Sequence, residues 1–270
     1  MANSFAGGLI GNVVGGSTIS LPEVPEFEDL YSLNFDGADD YVSTGYSSGA
    51  STGFTISMWI KSSNTSTSMT FASNGTSGGT PGGFQVLSPS GTRSFYILVF
   101  NGTSYSVNNN VGGTNARDDI CDGAWHHLAV TIDGTAVKIY KDGGDAAGSN
   151  TQGTPFATWT SAVSYTGNTG NDYYLGRNGA YTPSANYWMD GNQDEVAFFE
   201  TALSGAAISA IYNSGTPTDL TSLSPTLWYR MGEDATWDGT NWTIPDASEN
   251  SNTGTTANMA EGSRVTDVPS

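Results

Sequence analysis

The stretch DGAWHHLAVTIDGTAVKIYKDG, residues 122–143, decides the fold of this chain. Large apolar residues alternate with smaller or polar ones from Leu128 to Ile132, and again from Val137 to Tyr140. This period of two is typical of strands that bury one face in a core. Gly134, between the two runs, can adopt the positive φ that a tight turn requires. The stretch therefore predicts a β-hairpin, and because a lone hairpin is marginally stable in water, it also predicts further strands that cover it.

The composition favours an all-β protein. The 270 residues include 35 glycines, and only 13% of the residues are charged. Short strands joined by many turns, as in a sandwich or a barrel, have this composition. The seven Trp, 13 Tyr and 11 Phe supply enough apolar surface for a core, which argues against disorder.

The charge excludes several classes of partner. With 26 acidic and 8 basic residues the formal net charge is −18, so nucleic acid and anionic membrane surfaces are repelled. No apolar run is long enough to insert into a membrane. Cys121 is the single cysteine, which excludes an intrachain disulfide. The apolar run near the N-terminus has no basic residue before it, so we expect no signal peptide and synthesis in a cytoplasm.

Patterning elsewhere predicts more strands and one helix. Strand alternation begins at Tyr31 and recurs from Phe54 to Lys61. A short helix is predicted at about 205–213, with Ser204 as its N-cap and Gly215 closing its C-terminus. Residues 1–29 are Gly-rich and then Pro-containing, which predicts an extended N-terminal arm. The arm is either a flexible tail or a segment that orders against a neighbouring subunit.

Five motifs in a fixed order resemble a known family. They are NFDGADDYV (34–42), FTISMWIK (54–61), the hairpin (122–143), YLGRN (174–178) and GNQDEVAFFETALSGAAISAIYNSG (191–215). In this order they resemble the laminin-G-like, concanavalin A-like lectin/glucanase jelly rolls, over residues 30–215. The resemblance implies an all-β, two-sheet antiparallel jelly-roll sandwich with one short helix.

Residues 216–270 form a C-terminal extension, and within it residues 227–259 look like the segment that usually opens such domains, although here it comes last. We expect it to add a strand, at about 226–231, to the same sandwich, as in a circular permutation. The alternatives are that it begins a second module or packs on a neighbouring molecule.

This C-terminal stretch, combined with a Gly-rich start that has no signal-peptide pattern, is similar to structural proteins of marine bacteriophages. The resemblance implies a homo-oligomeric virion surface component, such as a capsid decoration, a fibre or a tail-associated protein. Its terminal arms would then hold it to other virion proteins. The alternatives are a free Ca²⁺-dependent lectin and, least favoured, a glycoside hydrolase.

Acidic residues cluster in the turn at Asp36, Asp39 and Asp40, and Asp194 belongs to a strand expected beside it. Carboxylates and turn carbonyls suit Ca²⁺, and related jelly rolls carry structural Ca²⁺, so Asp36, Asp39 and Asp194 are predicted ligands. The alternative is that Asp36 and Asp39 cap their own turn.

Enzyme chemistry is not expected. A glycosidase needs two carboxylates that face the same bond, whereas Asp194 and Glu195 are adjacent and should point to opposite faces of a strand. His126 and His127 are adjacent too and cannot share a metal. Glycan-binding platforms are instead predicted at four aromatic residues near long loops, unless they belong to the core: Trp159, Tyr165, Tyr181 and Tyr187.

Overall fold

The computed structural model describes residues 27–47, 52–74, 82–90, 95–111, 120–144, 152–167, 170, 172–178 and 187–270. Residues 1–26 of the predicted arm and Tyr181 lie outside these ranges. The described residues form strands throughout and one α-helix, so the all-β prediction is confirmed. No helix in these ranges combines the length and the apolar character needed to cross a bilayer.

The strands fall into three groups along the chain. The first group is β1 (Ser32–Asp36), β2 (Tyr41–Ser43), β3 (Gly53–Lys61), β4 (Met69–Ser73), β5 (Gly83–Ser88), β6 (Phe95–Phe100) and β7 (Tyr105–Val111). The second is β8 (Trp125–Asp133), β9 (Ala136–Lys141), β10 (Ala157–Thr160), β11 (Tyr174–Leu175) and β12 (Asp190–Phe199). After helix α1 (Gly205–Tyr212) come β13 (Leu227–Tyr229), β14 (Thr236–Trp237), β15 (Trp242–Ile244), β16 (Gly254–Ala257) and β17 (Arg264–Val265). Short 3₁₀ turns lie at Asn213–Gly215, Thr221–Leu223 and Glu261–Ser263.

The strands form two antiparallel sheets. The eight-stranded sheet has the order β10-β9-β8-β3-β12-β1-β17, and β13 also pairs with β12. The nine-stranded sheet has the order β14-β15-β16-β2-β11-β4-β5-β6-β7. The predicted hairpin is β8 and β9, in register from Leu128↔Lys141 to Asp133↔Ala136, and Gly134 has the expected φ of +57°. The predicted two-sheet sandwich is therefore confirmed.

The inner faces of the two sheets meet in one apolar core. Phe54 of β3 lies at the centre of this interface, with its ring centroid 4.5 Å from that of Phe84 on β5. Its ring also lies 5.6 Å from Tyr165, 5.9 Å from Tyr173 and 6.0 Å from Phe198. All five side chains are at most 1% exposed, so rings from both sheets exclude water together.

Helix α1 covers the outer face of the eight-stranded sheet. The Ser204 hydroxyl accepts a hydrogen bond from the Ala207 amide at 3.2 Å, so the predicted N-cap is confirmed. Ile208 and Ile211 are buried in a second apolar cluster on this face. The predicted C-terminal residue was wrong: Asn213, with a left-handed φ of +46°, closes the helix before Gly215 is reached.

The C-terminal segment contributes strands to both sheets. Strand β13 pairs with β12, β17 pairs with β1, and β16 pairs with β2 and so joins β14 and β15 to the nine-stranded sheet. Tyr229 of β13 is fully buried, and its hydroxyl donates to the carbonyls of Thr44 at 3.1 Å and Asn252 at 2.6 Å. The domain boundaries at residues 29 and 215 stay predictions.

Replacing Tyr229 should show how strongly this segment stabilises the sandwich. We expect Tyr229→Ala to lower the free energy of unfolding by roughly 3–5 kcal/mol, because a large buried ring leaves a cavity. Tyr229→Phe keeps the ring and loses its two hydrogen bonds, so about 1–3 kcal/mol is expected. Urea unfolding measures both. An effect of Tyr229→Ala below that of Tyr229→Phe would contradict this packing.

Candidate functional site

Side chains on the outer face of the nine-stranded sheet fall into rows. The register of β5, β6 and β7 places Gln85 beside Leu98, and Leu98 beside Val107. Tyr96 pairs with Leu87 in the next row. Because neighbouring side chains on one strand face opposite sides, these residues point away from the core that Phe84, Val86 and Ile97 fill on the other face.

These rows form the floor of a shallow groove of about 300 Å³. We call it the tyrosine groove, and its lining is Gln85, Leu87, Pro89, Tyr96, Leu98, Tyr105, Val107, Asn178 and Tyr187. Tyr105 is 53% exposed and Val107 is 41% exposed, which makes them two of the three most exposed large apolar side chains among the described residues. Exposed apolar surface that is concentrated at one place on a monomer commonly marks a binding site.

Two segments outside the floor complete the tyrosine groove. The carbonyl of Tyr187 accepts a hydrogen bond from the Thr70 amide of β4 at 3.0 Å, which anchors Tyr187 beside the sheet. The side-chain amide of Gln85 donates to Oδ1 of Asn178 at 2.9 Å. The groove thus combines aromatic rings with fixed amide groups.

A cationic aromatic strip continues the same face. The guanidinium carbon of Arg177 lies 4.6 Å from the ring centroid of Tyr41 and 4.4 Å from that of Tyr174. Trp188 stacks against Tyr41 with ring centroids 6.2 Å apart. Nε of Arg177 is buried and has no hydrogen-bond partner among the described residues. Contact with these two rings holds the cation beside them, and Asn178 follows it in the sequence.

The structure separates the four predicted glycan platforms. Tyr187 lines the tyrosine groove, whereas Trp159 lies on β10 at the edge of the other sheet and packs against the core. Tyr165 is fully buried against Phe54, so its ring is unavailable to a sugar, and this assignment is corrected. Tyr181 lies outside the described residues.

The sequence reasoning missed Tyr96 and Tyr105, although a signal was present. Strand β6 reads FYILVF and is apolar on both faces, and β7 repeats Tyr105 and Val107 among polar residues. Only one face of β6 is needed for the core, so the apolar residues on its other face indicate an exposed apolar surface that includes Tyr96 and Tyr105.

Four carboxylates meet at a β-bulge in β12. The pairing of β12 with β3 slips by one residue between Asp194 and Ala197, and Glu195 has a φ of +45°. The bulge puts Asp194 and Glu195 on the same side of the strand, so the prediction of opposite faces was wrong. Carboxylate oxygens of Asp29, Asp194, Glu195 and Glu233 all lie within 4.8 Å of one another. We call this group the carboxylate cluster.

Arg230 forms an ion pair with the carboxylate cluster, and Arg264 lines the cleft beside it. Nε of Arg230 donates to Glu195 at 3.0 Å, and the indole N–H of Trp228 donates to the other oxygen of Glu195 at 2.5 Å. The backbone amides of Leu30 and Tyr31 donate to Glu233 at 2.6 and 2.8 Å. The cluster therefore joins the segment before β1, the bulge of β12 and the turn after β13.

Burial disfavours ionisation in this cluster. It raises the pKa of Asp29 to about 7, and the charge of Glu233 acts in the same direction. It raises the pKa of Glu195 to about 8 even though Arg230 opposes the shift. The pKa of Asp194 is also raised, mainly by burial and then by its acidic neighbours. The cluster consequently needs protons or a cation to balance its charge.

The predicted Ca²⁺ ligands do not come together. Strand β1 does pair with β12, but Asp36 lies opposite Asp190, so Asp194 is four residues, or about 13 Å, further along. Oδ1 of Asp36 accepts hydrogen bonds from the amides of Ala38 at 2.8 Å and Asp39 at 3.4 Å. Asp36 thus caps its own turn, as the alternative held, and a metal at Asp36 and Asp39 stays a prediction.

The two histidines face opposite sides, as expected. His126 lies between two carboxylates, with Nδ1 3.0 Å from Asp142 and Nε2 3.2 Å from Asp122. His127 is fully buried and shares a hydrogen bond of 2.8 Å with the Ser57 hydroxyl. Burial lowers the pKa of His127 to about 4. Because neither Ser57 nor His127 reaches the surface, the pair does not form a hydrolytic site.

The motif resemblance is confirmed by comparison with protein families. The model described as the Concanavalin A-like lectin/glucanases superfamily matches residues 36–209. No curated protein matches the chain.

Solved structures are similar to this chain at low sequence identity. A Bacteroides ovatus protein whose description assigns it to carbohydrate binding is 19% identical, with a TM-score of 0.59, over 90% of this chain and 62% of that one. The chain therefore spans less than two thirds of that protein's length. A SAP-like pentraxin from Limulus polyphemus is 12% identical, with a TM-score of 0.49, over 68% and 82% of the two chains. The CBM40 of Ruminococcus gnavus IT-sialidase bound to α2,6 sialyllactose is 15% identical, with a TM-score of 0.49, over 68% and 98%.

The buried His127 should make the protein less stable in acid. An unfolded chain protonates this histidine below about pH 6.5, whereas the folded chain resists until about pH 4, so its contribution is present above pH 6.5 and is lost as the pH falls towards 4. We expect His127→Phe to remove on the order of 3 kcal/mol of that acid dependence. Urea unfolding at pH 7 and pH 4.5 measures it. His126→Gln is the control and should keep the full acid dependence of the free energy of unfolding. If His127→Phe also kept that full dependence, buried His127 would not be its source.

Proposed function

The chain belongs to the concanavalin A-like lectin/glucanase superfamily, and we propose that within it the chain is a non-catalytic carbohydrate-binding module. The tyrosine groove is the proposed sugar site. The observation that carries the proposal is the exposure of Tyr105 and Val107 beside the fixed amides of Gln85 and Asn178. Apolar surface with a few well-placed polar groups is the usual composition of a small-molecule site.

The chemistry of a sugar ring matches this lining. A pyranose presents C–H groups on its faces and hydroxyls at its edge. Tyr96, Tyr105 and Tyr187 offer flat rings for the faces, and each phenol also has a polar end. Gln85 and Asn178 offer amide donors and acceptors for the hydroxyls. An open groove on a sheet also allows a longer chain to pass across it.

The position of the carboxylates supports a non-catalytic role. A glycosidase needs an acid and a second carboxylate on either side of the bond that is cut. The described lining of the tyrosine groove contains neither Asp nor Glu. In the carboxylate cluster, Asp194 is fully buried and Glu195 is 3% exposed, so neither reaches a glycosidic oxygen. These features favour recognition of a glycan over its hydrolysis.

The attachment of this module to a virion surface is the finer part of the proposal, and it rests on the sequence resemblance. Phe27 stacks on Trp228 of the same chain with ring centroids 6.2 Å apart, so the attachment is assigned to residues 1–26. Deleting residues 1–26 should then abolish binding of the protein to the virion and leave its affinity for the sugar unchanged. Co-sedimentation with the particle measures this, and binding that survives the deletion would contradict the role of the arm.

Removing one ring should weaken sugar binding. We expect Tyr105→Ala to raise the dissociation constant of a glycan identified on an array by roughly tenfold, because it removes an aromatic contact of about 1.4 kcal/mol. Isothermal titration calorimetry measures the constant. The mutation should leave the melting temperature almost unchanged, since Tyr105 is 53% exposed.

The matched control is Leu30→Ala, which removes another exposed apolar side chain, 50% exposed, just before β1 of the eight-stranded sheet. It should leave glycan affinity unchanged. Unchanged affinity in both Tyr105→Ala and Tyr187→Ala would contradict the proposed groove. Release of reducing ends from the bound glycan would contradict the non-catalytic assignment.

A further inference from the structure

We propose that the carboxylate cluster binds a Ca²⁺ ion that holds three segments of the chain together. The ligands come from Asp29 before β1, Asp194 and Glu195 on the bulge of β12, and Glu233 in the turn after β13. This set shares only Asp194 with the Asp36, Asp39 and Asp194 set that the sequence predicted. The inference does not depend on sugar binding.

The strand pairing explains why the cluster lies where it does. On one edge of β12, residues Asp190–Gln193 pair with β1, and residues Val196–Phe198 pair with β13. Asp194 and Glu195 fall in the gap between these two partners, where the bulge leaves the strand without a ladder neighbour on that edge. Asp29 and Glu233 approach the same gap from the segments that precede β1 and follow β13. Two loops and one strand defect thus converge on a single point.

Several oxygens of the cluster are left without donors. Both carboxylate oxygens of Asp29, Oδ2 of Asp194 and Oε2 of Glu233 are buried and accept no hydrogen bond from an amide or a hydroxyl of any described residue, and Asp29 and Asp194 can bond each other only when one of them carries a proton. Asp194 is itself fully buried, and its other oxygen accepts from the Glu195 amide at 2.8 Å. Buried polar atoms are normally satisfied, so a group of orphaned acceptors at one point indicates a missing donor or cation.

The charge balance of the cluster supports the same conclusion. Four carboxylates lie together, and Arg230 supplies one guanidinium, with its Nε 3.0 Å from Glu195. Uncompensated charges of like sign are strongly disfavoured in a buried site. A divalent cation with oxygen ligands compensates them without requiring donors, and carboxylate oxygens are the ligands that Ca²⁺ takes.

The cluster also has an opening to solvent. Glu233 and Arg230 line a cleft of about 340 Å³ together with Phe27, Leu30 and Arg264. A hydrated cation can therefore reach Glu233 first and lose water as it moves towards Asp194. The turn at Asp36 lacks this arrangement, because Asp36 and Asp39 are exposed there and Asp36 already accepts hydrogen bonds from its own turn.

Luminescence of Tb³⁺ tests the site directly, because Tb³⁺ occupies Ca²⁺ sites and is excited by a nearby indole. Trp228 donates to Glu195, so it lies next to the proposed ion. We expect Tb³⁺ emission on tryptophan excitation in the full chain, displaced by added Ca²⁺. Trp228→Phe should lose most of this emission while Ca²⁺ still raises its melting temperature.

Thermal unfolding at pH 7.5 with 1 mM Ca²⁺ or with EDTA gives the second readout. Binding only to the folded state should raise the melting temperature of the wild type by at least about 5 °C. Asp194→Asn should abolish the shift, and Glu233→Gln, at the solvent side, serves the same purpose if Asp194→Asn does not fold. Asp36→Asn is the matched control and should keep the shift.

Two results would overturn the proposal. One is the absence of any Ca²⁺ shift or Tb³⁺ emission in the wild type, which would mean that the cluster balances its charge with protons alone. The other is a Ca²⁺ shift that survives in both Asp194→Asn and Glu233→Gln, or that disappears in Asp36→Asn, which would place the ion elsewhere.

Discussion

The contact of aromatic rings across the two sheets is the constraint on which the rest of the structure depends. Phe54 touches Phe84 from the opposite sheet and Phe198 from its own sheet, and all three rings exclude water. Since a strand alternates its side chains, burying one face of each sheet leaves the other face free for different uses. The eight-stranded sheet uses its outer face to pack helix α1, and the nine-stranded sheet leaves Tyr105 and Val107 in solvent. The division between stability and recognition follows from this alternation.

Strand β12 shows how one irregular residue creates a second kind of site. Its inner side chains Val196 and Phe198 continue the core, while the bulge at Glu195 breaks the pairing beside them. Bulges re-aim side chains, and here the result is a set of acids that a regular strand would keep on opposite faces. Stability and chemistry are therefore coupled on the same strand, because Asp194 and Glu195 lie between the parts of β12 that pair with β1 and with β13.

The sequence predicted the features that local pattern controls. The β8–β9 hairpin, the Ser204 cap and the two-sheet class follow from side-chain period, turn chemistry and the order of motifs, and each is confirmed. The features that it did not predict depend on contacts between residues that are far apart in the sequence. The positive φ of Glu195 leaves no mark in NQDEVAFFE, so the meeting of Asp194 with Asp29 was invisible. Tyr165 and Tyr105 are both tyrosines near loops, and only the packing of the sheets shows that one is buried and the other exposed.

The outer face of β5, β6 and β7 is the surface that we propose to recognise a carbohydrate. The most direct measurement is a titration of the ¹⁵N-labelled protein with a glycan found on an array, followed by NMR. We expect the amide shifts to concentrate at Tyr96, Leu98 and Val107 and to saturate with the same dissociation constant as calorimetry. Shifts that concentrate on the strands of the eight-stranded sheet, with β5, β6 and β7 unperturbed, would contradict this proposal.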